Sequence, residues 1–594
     1  MLFSIVLVIS SAVLPLTAFA ECKLGKMAEL PVTMTDSRPL VTAKINGEDV
    51  QFVADSGAFF SMISQGAAAQ LKLNLRPAPY GLRVEGLGGS TEPLAATVKV
   101  FTLAGIALRN MEFLVGGSEA GAGSIGVLGQ NVFSAGDVEY DLTHGVIRLI
   151  RVEDCKHAAL AYWVRGEQSY SVMDIERTTP LSPHTTGAAY INGAKIRVLF
   201  DTGASASILS LRAAERAGVK PGMTGVVDGG DIYGIGRNVV KTYIAPFASF
   251  KIGDEEVRNT RLRIGDIGLD AADMLIGADF FLSHRIYVAS SQHRLYFTYN
   301  GGPVFNLARS PAAAQPVASP AADASAAHVP AADAPVDAAA FSRSGTAFAA
   351  RRDFEHALAD LTRACELDPG NAEYLYQRGV VYAQNRQAPL AMADFDRSLE
   401  LKPDNVPALV ARAEMRLRDR DIPGASADLD SAARIAPKEG DVRFFLARDY
   451  EQADLSASAI AQFDLWIPAH ADDVRMADAL DGRCRARAMQ GEDLARGLSD
   501  CNAALTLSTK ASALNADILD SRGLVHLRLG DCDKAIADYN ASLKFNPRSA
   551  RALYGLGVAE LREKEFAQSE ADIAAATALS PRVADEFKRH GITP

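Results

Sequence analysis

No dense run of lysine and arginine occurs anywhere in the 594 residues, and the formal net charge is −11. A nucleic-acid partner would call for a basic patch, so that class is set aside. The six cysteines contain no CxxC pair, and no histidines cluster at metal-ligand spacing. That leaves neither a zinc site nor a thioredoxin-like motif to read, and no metal or other cofactor is expected. Beyond the N-terminus no stretch stays apolar for the roughly 18–20 residues that cross a bilayer. No membrane span is therefore expected in a processed chain.

What is present points to an exported protein of several domains. The length suggests roughly three or four domains of about 150 residues, and the apolar fraction of 48% is ordinary for a globular chain. The N-terminal run MLFSIVLVISSAVLPLTAFA ends in Ala18-Phe19-Ala20, the small-x-small pattern of a signal-peptidase site. Residues 1–20 read as a signal peptide cleaved before Glu21, which places the protein outside the cytoplasm, and in the periplasm if the cell is Gram-negative. No Lys or Arg precedes the run, so an uncleaved anchor is the rival reading; Pro15 breaks the run and weighs against it. Cys22 invites a lipoprotein reading that the acidic Glu21 fits poorly. In an oxidising compartment the cysteines are free to pair. Cys22 with Cys155 would close the first domain on itself. Cys484 and Cys501 flank the turn near Gly491 and either bridge one helical hairpin or remain buried thiols.

Composition changes near residue 308. The stretch SPAAAQPVASPAADASAAHVPAADAPVDAAA is almost wholly Ala, Pro, Ser and Asp, lacks an apolar period and cannot bury a core. Residues 306–339 read as a linker that lets two unlike halves fold separately. Before it, short runs of Val, Ile, Leu and Phe alternate with turns, and Asn46-Gly47 and Asn192-Gly193 sit between apolar runs as type I′ hairpin signals. After it, Ala-rich segments carry apolar residues at three- and four-residue spacing. Prolines 369, 403 and 437 recur every 34 residues, as do 547 and 581. That is the period of the tetratricopeptide repeat. The segment RGLVHLRLGDCDKAIADYNASLKFNP resembles that repeat, with small Gly523 on a first helix, Gly530 at the turn, Ala535 and Tyr539 on a second helix and Pro547 at its end. Residues 440–510 fit less well. About seven helix pairs are expected.

The β-rich half is written twice. Residues 54–64 read ADSGAFFSMIS and residues 200–210 read FDTGASASILS. Ile45-Asn46-Gly47 and Ile191-Asn192-Gly193 each stand ten residues before the Asp. A glycine-rich turn follows each copy, GLGGS at 86–90 and GIGRN at 234–238, and then Val127-Leu128-Gly129 and Leu275-Ile276-Gly277. The offset between copies is 146 residues at the aspartates (55 and 201) and 148 at the turn glycines (88 and 236). One unit has been duplicated, with boundaries read at 21–160 and 161–305.

Each unit resembles a retropepsin-type aspartic protease domain, the bacterial members most of all: a hydrophobic-hydrophobic-D-[ST]-G-A phrase, a glycine-rich flap and a hydrophobic-hydrophobic-Gly strand. The resemblance implies two all-β lobes forming a pseudo-dimer, followed by an all-α tetratricopeptide solenoid over 340–594. It implies Asp55 and Asp201 as the catalytic pair. Two carboxylates in contact share a proton, so one serves as base and the other as acid towards a water that hydrolyses a peptide bond. Ser56 and Thr202 would bond across the pseudo-twofold axis, and Gly57 and Gly203 permit the tight turn beneath the carboxylates. Gly86, Leu87, Gly88 and Gly89 resemble a retroviral flap tip. Tyr233, Gly234, Ile235 and Gly236 resemble the pepsin flap, with Tyr233 either its cleft tyrosine or a plain turn residue. The expected partners are a peptide or protein substrate and a protein held by the repeats. The rival reading is a protease-like scaffold without activity.

Overall fold

The computed structural model describes residues 22–593 apart from 80–81, 87–88, 118–122, 166–168, 179–182, 233–239, 269–271, 306, 308–335 and 509–513. The proposed signal peptide and nearly all of the Ala/Pro linker therefore lie outside the described residues. So do Leu87 and Gly88 of the first flap and the whole of Tyr233, Gly234, Ile235 and Gly236.

The duplication is visible element by element. Strands Arg38–Ile45 and Glu48–Ala54 of the first copy correspond to Thr186–Ile191 and Ala194–Phe200 of the second. Each pair is joined by its Asn-Gly turn. Both residues of each turn have positive φ: 52° and 97° at Asn46 and Gly47, 46° and 80° at Asn192 and Gly193. This is the type I′ geometry that asparagine and glycine adopt with little strain. Helix Gln65–Gln70 corresponds to Leu211–Arg216, and the short strand Gly126–Leu128 to Met274–Ile276. In each copy the strand that leads to the aspartate runs parallel to that short strand, through Val53 beside Val127 and Leu199 beside Leu275.

A sheet shared by both copies joins the lobes. Its strands run in the order Ser171–Asp174, Arg294–Tyr299, His284–Ala289, Asp137–Asp141, Val146–Glu153, Lys23–Thr35. The central antiparallel pair sets Val138 opposite Val288 and Tyr140 opposite Ile286, so the two copies become one body with a common apolar core. Glu139 lies fully buried at this seam. It accepts hydrogen bonds from Arg148 at 2.7 Å and Arg285 at 2.8 Å, and a third from the Tyr162 hydroxyl. Arg285 in turn lies 4.9 Å from the centre of the Trp163 ring. A disulfide between Cys22 and Cys155 ties the chain's start to the first lobe's end.

From Ala338 to Leu579 the described residues are helices and the turns between them. Among the described residues, fourteen helices form seven antiparallel hairpins, and the short helix Val583–Arg589 follows. The turn inside successive hairpins uses a left-handed residue at Arg352, Arg386, Arg420 and Asp454, one every 34 residues, with φ between 60° and 63°. Small residues let the paired helices touch: a Cβ on Gly523 would stand 3.0 Å from the Tyr539 ring, and one on Gly379 2.7 Å from Phe395. A guanidinium on the first helix grips a carboxylate on the second in several hairpins. Arg378 holds Asp394, Arg412 holds Asp428, Arg483 holds Asp500 and Arg522 holds Asp538, all at 2.6–2.7 Å. The hairpin at 442–469 lacks this pair and uses Arg443 with Gln462 instead. That departure, with the wider spacing of the later turns at Gly491 and Gly530, accounts for the poorer repeat pattern there. Cys484 and Cys501 form a disulfide across one hairpin, while Cys365 and Cys532 stay buried as thiols.

The two halves touch despite the linker between them. Helix Ala338–Ala350 packs against strand Lys23–Thr35, where Thr346 Oγ1 accepts from the Met34 N–H at 3.3 Å and Ala347 is wholly buried in the protease core. Farther along, Gln65 donates to Asp472 at 2.9 Å.

Candidate active site

The duplicated phrase brings Asp55 and Asp201 together at the meeting of the lobes. Each follows a strand and opens a tight turn. Asp55 Oδ1 accepts from the N–H groups of Gly57 and Ala58 at 2.9 and 2.8 Å. Asp201 Oδ1 accepts from Gly203 and Ala204 at 2.9 and 3.2 Å. The glycines do more than turn the chain. A Cβ on Gly57 would lie 2.3 Å from Asp201 Cγ, and one on Gly203 would lie 2.3 Å from Asp55 Cγ. Each copy's glycine thus makes room for the other copy's carboxylate, and the two carboxyls are hydrogen-bonded to each other.

Ser56 and Thr202 lock this arrangement across the pseudo-twofold axis. The Ser56 hydroxyl donates to the Phe200 carbonyl at 2.9 Å, and the Thr202 hydroxyl to the Ala54 carbonyl at 2.7 Å. Each hydroxyl also accepts the other residue's backbone N–H at 3.0 Å. Both residues are buried, so every hydroxyl bond here is made without competing water. The shared serines farther along the phrase have local work. Ser61 and Ser207 bond the Gly129 and Gly277 N–H groups at 3.1 and 2.9 Å, and Ser64 and Ser210 cap the helices that follow.

The electrostatics raise both carboxyls. Burial, and then the negative charge of Asp201, hold the Asp55 carboxyl well above the usual carboxylate range. Burial also raises Asp201, but the hydrogen bond from Asp55, two backbone N–H groups and the neighbouring His184 pull against it. With both carboxyls raised and close together, the pair as a unit keeps one proton.

His184 is a site residue that the sequence did not reveal. It lies beside the Gly57 backbone and within electrostatic reach of Asp201, and meets the Phe59 ring edge-on with centroids 6.1 Å apart. Burial pushes its imidazole below the usual histidine value. The equivalent position in the first copy is Arg38, so the duplication offers no signal for it. Tyr140, also unforeseen, is buried with its hydroxyl on Ser56.

Of the expected flap residues, Gly86 and Gly89 are paired in a hairpin of strands Val84–Gly86 and Gly89–Thr91. In the second copy Ile232 pairs with Val240, which brackets the undescribed segment 233–239.

The aspartyl protease family model matches residues 41–132, and that of gag-polyprotein aspartyl proteases matches 188–283. Tetratricopeptide-repeat models match 345–385, 372–405 and 521–584. The chain carries two retropepsin-like aspartyl protease domains followed by tetratricopeptide repeats. Each protease match includes one D-[ST]-G phrase, so the pair of carboxyls described above joins one domain to the other.

Among solved structures the chain is similar to the APC/C hetero-tetramer Cut9–Hcn1, at 17% identity and TM-score 0.30 over 42% of this chain and 52% of that one. It therefore spans about half the length of that relative. It is also similar to a tetratricopeptide repeat protein from Parabacteroides merdae, at 16% identity and TM-score 0.33 over 42% and 97% of the two chains. A third likeness is pilF of Pseudomonas aeruginosa, at 16% identity and TM-score 0.29 over 36% and 94%. The curated proteins give no match. No helix among the described residues is long and apolar enough to cross a membrane.

Proposed function

We propose that the protein is an exported aspartic endopeptidase, with Asp55 and Asp201 as its catalytic pair and its repeats recruiting a substrate or partner protein. The observation that carries this reading is the reciprocal fit of Gly57 against the Asp201 carboxyl and Gly203 against the Asp55 carboxyl. Such a fit holds two carboxyls close enough to share one proton, at a net energetic cost that a merely structural site has no reason to keep.

The chemistry follows from the one proton that the pair keeps. Asp201, ionised, takes a proton from a water whose oxygen bonds to the scissile carbonyl carbon. Asp55 gives its proton to the carbonyl oxygen. Collapse of the tetrahedral intermediate returns a proton to Asp55, passes the one on Asp201 to the amine nitrogen and breaks the C–N bond. The peptide lies extended beneath the flap hairpin of strands Val84–Gly86 and Gly89–Thr91, which excludes bulk water. Export to the periplasm, or its equivalent, is supported by the apolar N-terminus and by two disulfides, which persist in oxidising compartments.

The test is cleavage of a mixed peptide library by the full processed chain at acidic and neutral pH, read by mass spectrometry. Asp55→Asn and Asp201→Asn should each retain at most about a hundredth of the rate, since acid–base roles contribute roughly 10²–10⁴-fold. Mixing the two variants should restore nothing, because each chain builds its own pair. Recovery on mixing would place the site between chains, and wild-type rate in either variant would end the catalytic assignment.

A further inference from the structure

The inner face of the helical array holds a cavity of about 380 Å³. Its walls come from the first helices of four consecutive hairpins, Val442–Gln452, Met476–Gln490, Leu514–Leu529 and Ala550–Arg562. The short helix Val583–Arg589 closes one side through Glu586 and Phe587.

The walls carry more negative charge than they neutralise. Asp449 lines the cavity at 9% exposure, and its Oδ2 has no hydrogen-bond partner among the described residues. Burial and then the charge of Glu414 push this carboxyl up to about 7, with only Arg448 opposing. On the next helix burial likewise pushes Asp481 up to about 7. Asp520, which lines the cavity from the third helix, is raised by burial, and Asp517 and Glu586 add to the effect. The cations are fewer and already engaged. Arg448 and Arg485 both bind Glu451, at 2.9 and 2.7 Å, and Arg551 stands 3.3 Å from Asp520. A carboxyl buried without a donor is expensive to keep, and a cation held beside it in the cavity would offset that cost.

We propose that this cavity binds a lysine or arginine side chain of a protein segment lying in the groove of the repeats. The volume suits one long side chain with its backbone. An extended organic cation also suits the walls better than a bare ion, because no three acidic, histidine or cysteine groups among the described residues are gathered to hold a metal. The inference deepens the reading of the repeats as a recruiting arm: the recruited protein presents a basic segment.

The experiment measures binding, not cleavage, so the protease reading and this one fail separately. The full chain carrying Asp201→Asn is titrated against a fluorescein-labelled peptide of three Gly-Ser-Arg units, and against the same peptide with Glu or Gln in place of Arg. The Arg peptide should bind and the Glu peptide should not. Raising salt from about 50 to about 500 mM should weaken the complex, because charge attraction is screened. Asp449→Asn and Asp520→Asn should each reduce affinity at least about fivefold, the loss of one charge-assisted contact. Asp533→Asn, on an exposed first turn outside the cavity walls, should leave it unchanged. Thermal melting checks the variants' folding; the peptide and salt comparisons need no variant of the groove at all. Equal binding of the Glu peptide, or no binding of the Arg peptide, overturns the proposal. So does full affinity in both folded Asn variants.

Discussion

At the scale of single residues, the two glycines that follow the aspartates explain why the phrase is short and why it must be repeated. A side chain on either would collide with a carboxyl belonging to the other copy. These positions were legible because the constraint falls on three consecutive residues, and the second copy repeats it. His184 was not legible, because its role depends on a fold that brings a residue 17 positions upstream of Asp201 beside Gly57 and Phe59. Its position gives a prediction for the pH dependence of the proposed activity. In acid the imidazole is protonated, and its positive charge favours the ionised form of Asp201. Replacing it with an apolar ring of similar size removes that help, so Asp201 becomes easier to protonate. In His184→Phe the acidic limb of the rate profile should therefore move to higher pH, while the folded state persists. A rate profile whose acidic limb stays in place would show that His184 only fills space. The two limbs belong to the coupled pair and not to either aspartate alone.

At the scale of elements, sequence patterns located turns where the residue type was diagnostic and missed them elsewhere. Asn-Gly announced both I′ turns, and Gly530 announced one helical turn. Arg352, Arg386 and Arg420 take the same left-handed geometry without glycine, so only the 34-residue spacing could have found them. The arginine–aspartate grips between paired helices were equally hidden, since charged residues at helical spacing usually read as a solvated face. The seam between the lobes was beyond reach for a different reason: its central strands pair residues 146–150 positions apart in the chain, and their pairing follows from tertiary packing alone. That seam makes its own prediction. Glu139 is buried among Arg148, Arg285 and Tyr162. Glu139→Gln leaves two guanidiniums facing a neutral amide, a change that in buried pairs costs about 3–5 kcal/mol. Denaturant unfolding in a Trp466→Phe background, where Trp163 is the one remaining tryptophan, should show an earlier near-ultraviolet transition for the protease lobes. The melting of the helical array, followed by its far-ultraviolet helix signal, should stay where it was. An unmoved protease transition would mean that the strand pairing and apolar core hold the lobes without this network.

At the scale of the whole molecule, the alanine- and proline-rich linker suggests two independent halves, yet the first helix of the array, Ala338–Ala350, packs into the core of the protease lobes. Ala347 is fully buried in the same apolar cluster as Leu30, Val32 and Met34, and Thr346 bonds the Met34 backbone. Arg351 reaches the Gly301 carbonyl, just before the linker begins. The sequence could not show this, because the linker's composition reports only that it lacks a core of its own and says nothing of where its ends dock. A chain of residues 21–305 would expose the apolar surface that helix Ala338–Ala350 covers. A chain of residues 21–371 would keep that helix together with Phe354–Leu367, its partner in the first hairpin. The longer chain should melt several degrees above the shorter one, since roughly 1 kcal/mol shifts a domain of 150–250 residues by about 2–4 °C. The shorter chain should also bind an apolar dye that the longer one does not. If the two melt together and neither binds dye, the hairpin merely rests on the lobes. If the longer chain is the more stable, the first hairpin belongs physically to the protease lobes, and the proposed division between catalysis and recruitment falls after it and not at the linker.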